Sequence, residues 1–134
     1  MSDTFSINVT VSGGLDDVIE KTTKALAAEG FGILTTIDVK ATLKKKIDVD
    51  FRPYTILGAC NPGLAHQALS ARADVGLMLP CNVTVEENGD GSCTVRFIDP
   101  IKMMTFASLG DDPALAEIGA QAGKKIANAA KALA

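Results

Sequence analysis

The runs VGLMLPCNVTVEE (residues 75–87) and SCTVRFID (residues 92–99) flank the four-residue stretch Asn88-Gly89-Asp90-Gly91. A two-residue period places Cys81, Val83 and Val85 on one face of the first run and Cys93, Val95 and Phe97 on one face of the second. The stretch between them is too short for a crossover, so the runs pair as an antiparallel hairpin. Any fold open to this chain must bury the apolar face of that hairpin.

The remaining segments supply the cover. Phe5, Ile7, Val9 and Val11 alternate into a strand that ends at Ser12-Gly13-Gly14, and Leu15, Val18, Ile19, Thr22 and Leu26 then line one face of a helix terminated at Gly30. Phe31, Ile33, Ile37 and Val39 predict a second strand, and DVKATLKKKI a short helix capped by Asp38 with Val39, Leu43 and Ile47 as its stripe. Tyr54 to Ala59 reads as a central strand because both its faces carry apolar residues, Ile56 and Leu57 among them. A helix from Pro62 to about Ala71 buries Leu64, Ala65, Ala68 and Leu69. After Asp99-Pro100 comes a short helical segment with Met103 and Met104. Asp112-Pro113 then opens a last helix striped by Leu115, Ile118, Ala122, Ile126, Ala129 and Leu133.

This order predicts an α+β domain spanning residues 1–134, a two-layer fold in which two long helices cover one face of an antiparallel sheet. The other face, with Leu57 and Met78 as its apolar candidates, needs separate cover, which favours a homodimer. A composition of 47% apolar and 22% charged residues is globular usage, and the net charge of -3 offers no general attraction to nucleic acid or anionic lipid. The opening MSDTFSINVTV lacks a basic, apolar leader and nothing downstream has the length of a membrane span, so the expected location is cytoplasmic. Three cysteines, an odd number, fit reduced thiols better than a disulfide framework.

The stretch ILGACNPGLAHQAL (residues 56–69) carries the best candidate site. Asn61 is a natural N-cap and Pro62 suits the first helical position, which leaves Cys60 just before a helix N-terminus, where free N–H groups favour a thiolate. Cysteine is also a small apolar residue that packs well at a strand end, so both readings stand. If the strands around the 62–71 helix pair antiparallel, Cys60 and Cys81 meet. Two thiols there suit a redox couple, a persulfide carrier or half a metal site, with Asn61, Pro62 and Pro80 as supporting residues. Their spacing is no tight chelating motif, and it assigns neither a metal nor a cofactor.

Other features carry less. His66 falls on the outward side of its helix, and Cys93 on an alternating strand face reads as core. Lys40, Lys44, Lys45 and Lys46 read as a solvated face, and GGLDD lacks the glycine pattern or lysine of a phosphate loop. Gly119 and Gly123 make a smooth patch for close helix packing. The acidic residues fall mostly on caps and exposed faces, so no hydrolytic triad or carboxylate pair emerges.

Cys60, Asn61, Pro62, Ala65 and Leu69, then Gly76, Pro80 and Cys81, then Asp99, Pro100 and Met103 together resemble the bacterial and archaeal family catalogued as domain of unknown function 302. The resemblance covers nearly the whole chain. It implies a helix-and-curved-sheet architecture similar to the TATA-binding-protein group, and dimerisation, but no reaction. His66 and Cys93 lie outside the shared pattern. Three classes of function therefore stay open: a thiol-dependent sulfur, redox or metal protein, a noncatalytic module for a small ligand, and a dimeric module that binds a protein partner.

Overall fold

Alternation in the hairpin is realised as two seven-residue strands, β4 (Cys81–Glu87) and β5 (Ser92–Ile98), in a computed structural model that describes residues 4–134. Val83 stands opposite Phe97 and Val85 opposite Val95, all four fully buried. Gly89 and Gly91 adopt positive φ in the turn, a conformation glycine enters without steric cost. β1 (Ser6–Ser12) pairs with β5, β3 (Tyr54–Cys60) with β4, and β2 (Gly32–Asp38) with β3, giving an antiparallel sheet ordered β1-β5-β4-β3-β2.

α1 (Leu15–Ala28) and α5 (Pro113–Leu133) pack on each other over one face of the sheet. Val18, Thr22 and Leu26 point inward from α1; Leu115, Ile118, Ala122 and Ile126 do so from α5. α1 ends as Gly30 allows: with φ at +84° its N–H reaches the Ala27 carbonyl, while the Phe31 N–H reaches Leu26. α2 (Val39–Ile47), α3 (Pro62–Ala71), α4 (Pro100–Met104) and α5 start on Asp38, Asn61, Asp99 and Asp112, and each cap accepts a backbone N–H from the first turn. Single 3-10 turns occupy Ala73–Met78 and Ala107–Asp111. The architecture is α+β, as the pattern of elements predicts.

Several expectations are corrected. β3 is interior but not central; β4 holds the middle place because the hairpin gains β3 on one side and β1 on the other. The first arm of the hairpin starts at Cys81 rather than Val75, since Pro80 has no N–H for a ladder and the preceding residues coil into a 3-10 turn. Val39 is helical because Asp38 caps there, Phe5 is exposed and precedes β1, and Leu69 lies outside the buried face of α3. Ile47 is exposed too, so the α2 stripe has no core to enter. Leu57 belongs to the helix-covered core and Met78 packs against that core, so neither furnishes a second apolar face.

The open face is instead mixed. One cross-strand row runs Ile37, Ile56, Thr84, Arg96 and Asn8. Beside it Glu86, 8% exposed, accepts from Arg96 Nη1 at 2.6 Å and pairs with Arg52 Nε. The hydrogen bond from Arg96, followed by that from Arg52, holds the Glu86 carboxyl below its ordinary range against the opposing effect of burial. Because the folded value is depressed, the stabilisation is complete above the unfolded value near ~4.3 and disappears as pH falls through the folded one. The arginines are 53% and 41% exposed, so screening limits the effect. Glu86→Gln should lower urea stability by about 1 kcal/mol at neutral pH. The difference from wild type should shrink steadily on acidification below pH ~4.

Gly58 packs more tightly than any side chain would permit: a Cβ there would overlap Thr35 Oγ1 and lie 2.9 Å from Pro80 Cγ. Thr35 can rotate away but the proline ring cannot. Gly58→Ala should destabilise by roughly 1–3 kcal/mol through overpacking. Gly32→Ala, with nothing within 4 Å of the new atom, should cost less in the same denaturation assay.

Candidate functional site

Strand β3 ends at Cys60, and Asn61 turns the chain into α3 with its Oδ1 accepting the Leu64 N–H at 3.2 Å. Pro62 follows at the first helical position. The cap is braced from α1: a side chain at Gly30 would meet Asn61 Nδ2 at 3.0 Å. Gly30 is thus required twice, for its positive φ and for the room it leaves Asn61. Among the first-turn donors of α3, Pro62 has none, Leu64 is held by Asn61 Oδ1 and Ala65 donates to the Asn61 carbonyl at 2.9 Å. Gly63 is left as the donor an anion could use, which is less than the sequence alone suggests.

Antiparallel pairing of β3 with β4 sets Ala59 opposite Cys81, so Cys60 lies one residue beyond that pair. Cys60 and Cys81 both line a cavity of about 30 Å³, together with Pro80, Leu64, Met103 and Ile118. Asn61 contributes the one polar side chain among its lining residues. Burial, and secondarily the neighbouring Cys60, pushes the Cys81 thiol up to about 11, so it is a neutral thiol at physiological pH. Cys81 is 6% exposed whereas Cys60 is half-buried, and all three cysteines are free. The arrangement offers one accessible sulfur beside one buried S–H donor.

The methionines of α4 were not legible as part of this wall. They are brought there by α5: a Cβ at Gly119 would lie 3.0 Å from Met104 Cβ and 3.1 Å from the Pro100 carbonyl, and one at Gly123 would lie 3.1 Å from Ile101 Cγ1. Two glycines four residues apart therefore let α4 sit directly on α5, burying Met103 and Met104. The signal in the sequence was the pairing of that glycine spacing with Asp-Pro-Ile-Lys-Met-Met.

Other candidates fall outside. Cys93 is fully buried, its thiol raised by burial and then by Glu87, and its Sγ donates to the Gly13 carbonyl at 3.5 Å. His66 is exposed on α3 and lines no part of the cavity. Lys44 pairs with Asp48 and Asp50, and Lys40 donates to the Phe51 carbonyl, as a solvated helix face would. Gly14 leads into α1, whose Leu15 N–H is taken by Glu87 Oε2 at 3.0 Å, an arrangement that repels phosphate. Among the described residues no three His, Cys, Asp or Glu side chains gather where they could hold a metal ion. No described helix is long and apolar enough to cross a membrane.

Comparison with known proteins is consistent with this architecture. A search of curated proteins finds no match. The crystal structure of an uncharacterized conserved DUF302 protein from Bacillus stearothermophilus is similar over 98% of this chain and 99% of that one, with 32% identity and a TM-score of 0.85. The model of the domain of unknown function DUF302 matches residues 7–133, from the second residue of β1 to the last of α5, so the chain belongs to the DUF302 family.

Proposed function

We propose that Cys60 and Cys81 form a thiol site that handles a small sulfur, redox-active or metal species. One observation carries this reading: cysteines from two adjacent strands border a single small apolar cavity. Cys60 is the reacting thiol because it is the more accessible, and Cys81 is the buried partner that resolves what forms on it. Asn61 and Pro62 fix the turn after Cys60, and Pro80 walls the cavity between the two strands. With hydrogen peroxide as oxidant, the Cys60 thiolate attacks one oxygen, giving a sulfenic acid and hydroxide. The Cys81 sulfur then displaces water to close a disulfide, so two thiols are oxidised and the peroxide is reduced to water.

A second reading is noncatalytic capture of a small apolar ligand, favoured by the Met103, Ile118 and Leu64 lining. Free thiols fit the reducing cytoplasm as the working compartment. We also infer a homodimer. Its support is the exposed apolar pair Leu34 and Ile37 on β2, the edge strand of the sheet, which has neither proline nor lysine to blunt pairing.

Alkylation of the folded protein followed by peptide mapping should label Cys60 first and leave Cys81 and Cys93 until unfolding. Peroxide should then link 60 to 81 in the wild type but leave Cys81 reduced in Cys60→Ser. A sulfenic acid that persists on Cys60 without the disulfide, or preferred labelling of Cys93, moves the noncatalytic reading to first place. Light scattering should give twice the chain mass at micromolar concentration, falling toward one chain in Leu34→Asp/Ile37→Lys. A wild-type mass of one chain that does not change on concentration removes the dimer.

A further inference from the structure

We propose that this cavity is a binding site for a soft monovalent metal ion, copper(I) in chemical class, held by Cys60 and Cys81 with thioether support from Met103 or Met104. The inference rests on the thiol-site reading and names the species that site takes. Six sulfur-bearing residues lie among the described residues: Cys60, Cys81, Cys93, Met78, Met103 and Met104. Four of them line this one cavity, and Cys93 and Met78 do not. They arrive from three separate elements, the end of β3, the start of β4 and α4, so local sequence does not account for their meeting.

The chemistry of the wall selects among metals. Carboxylate, imidazole and hydroxyl side chains are absent from the lining, which leaves hard ions such as Mg²⁺ or Ca²⁺ without their preferred oxygen ligands. Zinc sites take three or four thiolate, imidazole or carboxylate ligands, and the lining offers two cysteines alone of these. Copper(I) accepts thiolate and thioether sulfur and tolerates low coordination numbers. A volume of about 30 Å³ exceeds the roughly 10–15 Å³ that one water-sized body needs, so a single ion fits. Each Cu–thiolate bond displaces the thiol proton to solvent, a thioether coordinates as a neutral donor, and copper keeps its oxidation state throughout.

Reduced protein, kept anaerobic, should be titrated against copper(I) held by a chromogenic chelator. The expected result is one copper retained per chain with sulfur-only coordination in the copper X-ray absorption spectrum. Met103→Leu/Met104→Leu conserves volume and should weaken retention by at least about 10-fold, while Cys60 alkylation in the apo form stays at the wild-type rate. Circular dichroism verifies that each variant is folded. Complete transfer of copper to the chelator, nitrogen or oxygen coordination, or unchanged affinity in the double methionine variant overturns the proposal. Cys60 labelling without copper retention overturns the metal inference alone; an inert Cys60 without retention overturns the thiol-site reading as well.

Discussion

Burial of Val83, Val85, Val95 and Phe97 between the sheet and the α1–α5 pair is the constraint from which the site geometry follows. These side chains fix the register of β4 against β5, and through Leu57 opposite Val83 the register of β3 as well. A slip of one residue would turn the whole apolar set of a strand to the open face, where Glu86, Arg96 and Thr84 now stand. At roughly 1.5–3 kcal/mol for each large apolar side chain withdrawn from water, that alternative register is strongly excluded. Ala59 is thereby held opposite Cys81, and Cys60 is carried to the same end of the sheet. The position of the thiols is a by-product of valines two and four residues away.

A second constraint works on the helices. α5 presents Gly119 and Gly123 where side chains would collide with α4, and this close approach is what seats Met103 and Met104 at the cavity. Interior glycines cost a helix roughly 1 kcal/mol each relative to alanine, so α5 gives up intrinsic helicity at these places. The return is contact: the backbone of α4 lies against α5, and two methionines enter the core. Gly58 plays the same part in β3, giving way to Thr35 and Pro80. The cavity is bordered by elements that approach through missing side chains.

Local chemistry explains what the sequence revealed. Asp38, Asn61, Asp99 and Asp112 are caps because their side chains satisfy donors within three residues, a relation visible without any tertiary information. The hairpin was legible for the same reason. The central place of β4 was not, because apolar residues on both faces of β3 announce an interior strand without saying which neighbours it gains. Leu57 was misplaced by a single unknown, which face of β3 the helices would take. Cys60 and Cys81 line one cavity because β3 and β4 pair antiparallel, whereas Met103 and Met104 reach it through the contact of α4 with α5, which shows only when the Gly119/Gly123 spacing is read together with Asp-Pro-Ile-Lys-Met-Met.

The polarity of the cavity limits what it can receive. An ion entering an apolar space loses hydration worth many kcal/mol unless it is neutralised there, and beyond Asn61 the lining side chains offer neither a formal charge nor a strong donor to an anion. Phosphate and carboxylate are therefore disfavoured guests. Cys81, held protonated by burial, adds no competing negative charge at neutral pH and keeps an S–H to donate. Charge introduced at Cys60 can be offset by a bound cation or discharged by forming a covalent bond to sulfur. The apolar wall thus disfavours any guest that would leave uncompensated charge at this junction, whichever element of the wall it touches.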